Sequence, residues 1–218
     1  MISSVTQILF MAIGLLVAID IHECAHAWMA DRLGDPTARY QGRLSLNPLV
    51  HLDPMGTLMM IFSFFYGFGI GWGKPVPVNP YNLSKGPRIG MGIVAAAGPL
   101  SNLALAVIVG LPLRIGLPLP LLLNVLLTVI VSINVGLAIF NLLPIFPLDG
   151  YSVLMGLLES IGEPWAYRWS DALESLRAQG PLILLFLIMV GQLVPRLDIL
   201  GLVLRPLHRF LCWLIAGF

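Results

Sequence analysis

The chain is expected to be an all-α polytopic membrane protein, and three observations lead there. Of its 218 residues, 58% are hydrophobic and only 11% charged, too little polar surface to cover a water-soluble domain. Apolar stretches of spanning length recur from end to end, at about 5–30, 90–113 and 121–143. Most of the charge is gathered between those stretches, chiefly at 31–53, 74–88 and 159–177. The net charge of +1, without a basic cluster or acidic tail, gives no reason to expect a nucleic-acid partner. Cys24 and Cys212 lie far apart in apolar surroundings and match neither a disulfide framework nor a CxxC metal site.

The first helix should end at Gly34, where Asp31 and Arg32 mark the interface and Gly34-Asp35-Pro36 supplies a C-terminal glycine and a proline stop. The opening residues carry no positive charge and no small-residue cleavage site follows, so this helix is read as retained rather than as a signal peptide. Residues 35–55 are polar and turn-rich. The apolar stretch 55–72 resembles a second span, but Gly67, Gly69, Gly71 and Gly73 alternate with Phe68, Ile70 and Trp72, a period of two that suits extended backbone. Lys74 to Pro80 continues in extended or turn conformation.

Charge placement decides between crossing and returning. If 55–72 crosses, Arg32, Arg39 and Arg43 lie opposite Lys74, Lys85 and Arg88, and the positive-inside bias vanishes; if it dips in and returns, all six share a side with Arg168 and Arg177. The expectation is a re-entrant hairpin at 55–73 within a short extended or re-entrant segment at about 55–79, with the N-terminus outside. Residues 90–113 and 121–143 should form an antiparallel pair, with Ala95-Ala96-Ala97-Gly98 allowing close approach and Pro99 and Asn102 as interruptions. The apolar run 181–194 is short, so its helix must start earlier or tilt little. The last stretch, 197–218, reads as an interfacial or partly inserted amphipathic helix or as a full crossing.

Inside the first apolar run stands His22-Glu23-Cys24-Ala25-His26. Histidines four apart on a helix are rotated by ~40° and separated by ~6 Å, so both rings can reach one metal ion. Glu23 falls on the neighbouring face, where its carboxylate can act as general base toward water. Random placement of four His and four Glu in this length produces the spacing roughly once in a thousand chains, and ionisable groups at bilayer depth are costly enough to point to function. Zinc suits such a site because it makes water a nucleophile near neutral pH. Cys24 reads as a small filler between the ligands.

A catalytic zinc needs a third protein ligand. Asp149 is the best candidate, since Pro144 and Pro147 break the helix just before it and can turn its carboxylate inward. Asp53 is the runner-up, in an Asp-Pro turn where capping is the ordinary role. Asp20 projects away from His22 and should pair with another helix. His51 reads either as a polar contact near the site or as a turn or interface histidine.

With these motifs the chain resembles the site-2 protease family of intramembrane zinc metalloproteases, through HECAH in a membrane helix and the run from Asn141 to Gly150. Gly98-Pro99 with Asn102 and the stretch from Gly42 to Thr57 are similar to its compact bacterial branch, which lacks a PDZ or CBS insertion. The resemblance covers about residues 8–155. It implies His22, His26 and Asp149 as ligands of one zinc ion and Glu23 as catalytic base. It also implies a core of three helices (the first, 90–113 and 121–147), and Asn141 holding substrate backbone or the developing oxyanion. The alternative for Asn141 is a bond to a carbonyl freed by Pro144, and Asn134 reads as interhelical glue. Residues 67–79 would pair with unwound substrate as an added strand, or simply pack on the bundle. The expected organisation is a metalloprotease core at 1–150 with amphipathic and membrane helices at 151–218. The expected partners are a transmembrane protein or peptide substrate and membrane lipid. The expected location is the cell membrane, multi-pass, with the active site toward the cytoplasm. The competing class is a non-proteolytic metal-binding membrane protein or transporter, against which stands the lack of an internal repeat.

Overall fold

A computed structural model describes residues 3–59 and 73–218. Helix α1 (Ser4–Arg32) opens where Ser3 Oγ accepts the Thr6 N–H at 3.2 Å. It stops as expected, because Gly34 adopts φ 103° and lets Asp35 N–H bond back to Ala30 O at 2.9 Å. After single helical turns at Thr37–Tyr40 and Pro48–His51 come α2 (Pro87–Arg114) and α3 (Leu121–Asn141), then α4 (Asp149–Ile161), α5 (Pro164–Leu176), α6 (Gly180–Leu193) and α7 (Ile199–Ala216). The protein is an all-α polytopic membrane protein, with no strand among the described residues.

Among the described residues, five helices are long and apolar enough to cross a membrane: α1, α2, α3, the 30-residue run Pro164–Leu193 and α7. The short apolar run 181–194 thus gains length by starting earlier, since one 3-10 turn at Arg177–Gln179 joins α5 to α6.

Two boundaries differ from expectation. Pro99 and Asn102 do not interrupt α2, which continues through Pro99 and Pro112. The carbonyl that loses its donor is that of Ala95, four residues before Pro99, and one missing hydrogen bond is tolerated inside a packed membrane helix. The third core helix ends at Asn141 instead of continuing to 147. Pro144 and Pro147 have no N–H for the carbonyls of Phe140 and Leu143, so residues 142–148 turn and α4 begins afresh at Asp149.

Helices α1, α2 and α3 pack against one another, and α4 lies on α2 where an added Cβ at Gly92 would sit 3.1 Å from the Gly156 Cα. Helix α7 fills the groove between α2 and α3, burying Cys212 and Ala216 against Ala106, Val131 and Val135. Its contacts run from His208 beside Ser132 of α3 to Ile215 against Gly110 of α2.

The stretch expected to re-enter falls largely outside the described residues, as do the alternating glycines Gly67, Gly69 and Gly71. What borders it is described: residues 54–59 are helical, and Gly73 pairs with Leu52 in an isolated antiparallel bridge beside Lys74 N–H donating to His51 O at 2.7 Å. Gly73 and Leu52, which flank it, thus lie side by side.

Candidate metal centre

His22 and His26 are buried on the face of α1 turned to α2, with ring centroids 4.6 Å apart and planes at 88°. Each ring is anchored through Nδ1. His22 Nδ1 donates to Asn102 Oδ1 at 2.6 Å, and His26 Nδ1 to Val94 O at 2.8 Å. The Asn102 orientation is set in turn, because its Nδ2 donates to Ala18 O at 2.9 Å and to Asn134 Oδ1 at 2.8 Å while Asn134 Nδ2 donates to Ile130 O at 2.8 Å. With the proton held at Nδ1, each neutral ring presents its Nε2 lone pair to the same point. Asn134 is thus the interhelical link expected of it, and Asn102 serves as a histidine partner instead of an interruption.

Gly98 makes room for this arrangement. A Cβ there would lie 2.5 Å from His26 Nε2 and 2.7 Å from His22 Cε1, well inside van der Waals contact.

Asp149, first residue of α4, arrives from the opposite side. The turn 142–148 folds back so tightly that a Cβ on Gly150 would lie 2.2 Å from Leu142 O; only glycine allows that closure. The carboxylate then stands with Oδ2 3.0 Å from His22 Nε2 and Oδ1 3.4 Å from His26 Nε2. Bonds of ~2.0–2.1 Å to a tetrahedral ion imply ligand-to-ligand edges of about 3.3 Å, which these separations match. Asp149 Oδ2 is buried without a hydrogen-bond donor. Electron-rich atoms of His22, His26 and Asp149, all within 4.8 Å of one another, repel unless a cation lies between them, so the residues fit zinc. Asp53 takes the capping role instead, accepting the Gly56 N–H at 2.8 Å.

A cavity of about 270 Å³ opens beside the three ligands, with Glu23, Asn141, Ser152 and the extended residues Pro75, Val76 and Val78 on its walls. Asn141 uses Nδ2 to donate to Leu137 O at 3.0 Å, one turn back on its own helix, and not to a carbonyl freed by Pro144. Asp20 and His51 meet, Asp20 Oδ1 lying 3.6 Å from His51 Nε2, and the fully buried His51 also bonds Ser45 O at 2.8 Å. His51 therefore ties the loop to α1, and its carbonyl and Glu23 Oε1 both border Gly73.

Two further residues position the extended wall, a role that the sequence did not suggest for either. Arg43 is buried and donates from Nη2 to the carbonyls of Lys74 (2.6 Å) and Pro75 (3.1 Å). Asp35, fully buried, accepts from Asn79 N–H at 2.7 Å, Asn82 Nδ2 at 2.9 Å and Thr37 Oγ1 at 2.6 Å. Burial alone pushes the Asp35 carboxyl up, but the hydrogen bonds from Thr37, Asn82 and Asn79 outweigh it and hold the group below the usual carboxylate range. Both are polar residues in a turn-rich stretch, where nothing local distinguishes a buried charge from a solvated one.

Comparison with known proteins places the chain. The family model described as Peptidase family M50 matches residues 121–187. The chain is 40% identical over 159 residues to YwhC of Bacillus subtilis, covering 68% of this chain and 69% of that protein. The chain belongs to peptidase family M50. Rip2 of Mycobacterium tuberculosis and that of Mycolicibacterium smegmatis are each 34% identical over 143 residues, covering 65% of this chain and 54% of theirs, so the chain spans about half the length of those M50 relatives. YwhC and Rip2 are both named as zinc metalloproteases. No solved structure matches the chain.

Proposed function

We propose that this zinc metalloendopeptidase of the site-2 protease type hydrolyses peptide bonds within transmembrane segments of other membrane proteins, in the cell membrane and toward its cytoplasmic side. One zinc ion would be held by His22, His26 and Asp149. The observation that carries the reading is the convergence of these three side chains part-way along α1, an apolar helix of 29 residues, beside a cavity walled by extended backbone.

Zinc bound there would acidify a water molecule and polarise the carbonyl under attack. Glu23, on the cavity wall, accepts the proton of the attacking water and passes it to the leaving amine. Asn141 has one N–H of its amide committed to Leu137 O, and the other is available to a substrate carbonyl or its developing oxyanion. A substrate helix hides its peptide bonds, so cleavage needs an unwound stretch; extended residues 74–79 offer main chain with which it can pair. The cytoplasmic assignment is supported by the pairing of Gly73 with Leu52, with which a shared side for Arg32, Arg39, Arg43, Lys74, Lys85 and Arg88 agrees under the positive-inside bias. Release of a substrate's cytoplasmic part by such a cut would be regulated intramembrane proteolysis.

Co-expression with candidate single-span proteins tests this, comparing wild type with Glu23→Gln. The uncut precursor should accumulate only with the variant, while purified variant retains zinc. Equal processing by both proteins removes Glu23 as the base, and the absence of any cut by wild type favours a metal-binding protein without peptidase activity.

A further inference from the structure

Outside the metal centre, two adjoining cavities share a pair of arginines. The first, of about 420 Å³, sits at the turn between α6 and α7 and is lined by Arg196, Asp198, Arg205 and Arg209 among apolar neighbours. The second, of about 310 Å³, is a groove between α3 and α7 with Gly136, Ile139, Phe140 and Leu204 on its walls and Arg205, His208 and Arg209 along its border.

Charge within the first cavity is unbalanced. Asp198 caps α7 by accepting the Gly201 N–H at 2.7 Å and pairs with Arg205 at 2.5 Å. Arg196 and Arg209 have no carboxylate partner among the described residues. The arginines therefore form a cationic pocket that opens directly onto an apolar groove. The groove follows α3 up to Phe140, where the span gives way to the turn 142–148, so the pocket lies at the end of the hydrocarbon layer. A polar anion joined to an aliphatic chain satisfies both halves at once, and neither a free anion nor a neutral lipid does.

We propose that this double cavity binds an anionic phospholipid, its headgroup phosphate between Arg196 and Arg209 and one acyl chain in the groove between α3 and α7. Bound there, the lipid buttresses the C-terminal turn of α3, next to Asn141 and the turn that delivers Asp149.

The full chain, solubilised in neutral detergent, is titrated with phosphatidylglycerol, phosphatidylcholine, sn-glycerol 3-phosphate and inorganic phosphate, and bound ligand is counted by native mass spectrometry. Phosphatidylglycerol should bind preferentially. The Arg196→Gln/Arg209→Gln double variant should lower its association about twenty-five-fold, about fivefold for each arginine, whereas the corresponding lysine pair should retain most of it. Leu204→Trp, which fills the groove without altering charge, should lower phosphatidylglycerol binding as well. Equal binding of phosphatidylcholine, or a preference unchanged in the glutamine double variant, overturns the proposal. Inorganic phosphate or glycerol phosphate binding as tightly as the lipid, unaffected by Leu204→Trp, overturns it too, because the groove would then have no part.

Discussion

Gly98→Ala provides the sharpest test of the metal centre. The new methyl carbon would lie 2.5 Å from His26 Nε2, 2.6 Å from His26 Cε1 and 2.7 Å from His22 Cε1, against an optimal separation of about 3.5–4.0 Å. One or both rings must move by about 1 Å, and neither swings freely because Nδ1 of each is held by Asn102 or Val94. Misplacing reacting groups by that distance reduces catalysis about a hundredfold. Weakened ligation should lower zinc affinity by about ten- to a hundredfold, as loss of orienting partners does. Global stability should change little: overpacking is destabilising by about 1–3 kcal/mol, offset by about 1 kcal/mol from replacing a mid-helix glycine. Zinc content after dialysis against a graded chelator series, peptide cleavage and thermal unfolding in detergent separate these effects. Gly136→Ala is the control, since its methyl group meets only His208 at 3.7 and 3.9 Å. An alanine at 98 with wild-type zinc retention and cleavage would refute the geometry described for the two imidazoles.

Asn102→Ala should release the His22 tautomer and leave Asn134 Oδ1 without its donor, lowering zinc affinity about ten- to a hundredfold; equilibrium dialysis with zinc checks this, and unchanged affinity removes the relay. The Asp35 carboxylate is held more acidic in the folded protein than in the unfolded chain. Its stabilisation is therefore full above the ordinary carboxylate range and disappears as pH falls through that range toward the lowered folded value. Asp35→Asn should be less stable than wild type at pH 7 and converge on it in acid, followed by thermal unfolding across pH. Arg43→Met should strip the Lys74 and Pro75 carbonyls of their donor, destabilising the extended wall by about 2–4 kcal/mol. Limited proteolysis should then cut near 74–79 and the substrate KM should rise, with zinc content unchanged; Arg43→Lys should rescue only in part, because an ammonium lacks the guanidinium's planar fork.

Much of the architecture was legible in local patterns. Runs of apolar residues, bounded by Gly34 and by the segment 115–120, locate α1, α2 and α3 because a bilayer forces every spanning backbone to satisfy itself as a helix. Proline was read less well. Pro99 carries the same local signal as Pro144, yet the first sits within a continuous helix and the second follows the end of one. The difference lies in the surroundings: Pro99 is fully buried against neighbouring helices, while Pro144 is followed closely by Pro147, and a second donor is lost on the next turn.

By itself the sequence determined the first three apolar helices, the two histidines on one face of α1 and the Glu23 carboxylate beside them, since these follow from local apolar runs and the period of one helix. It also offered two aspartates, Asp149 and Asp53, as third donor. Only tertiary structure chose between them, bringing Asp149 within 3.4 Å of both imidazoles and leaving Asp53 to cap a helix. Tertiary structure likewise assigned Asn102 to His22, and Arg43 and Asp35 to the extended wall. Contacts between residues 31 to 127 positions apart depend on how separate helices and loops pack, and no local periodicity encodes that.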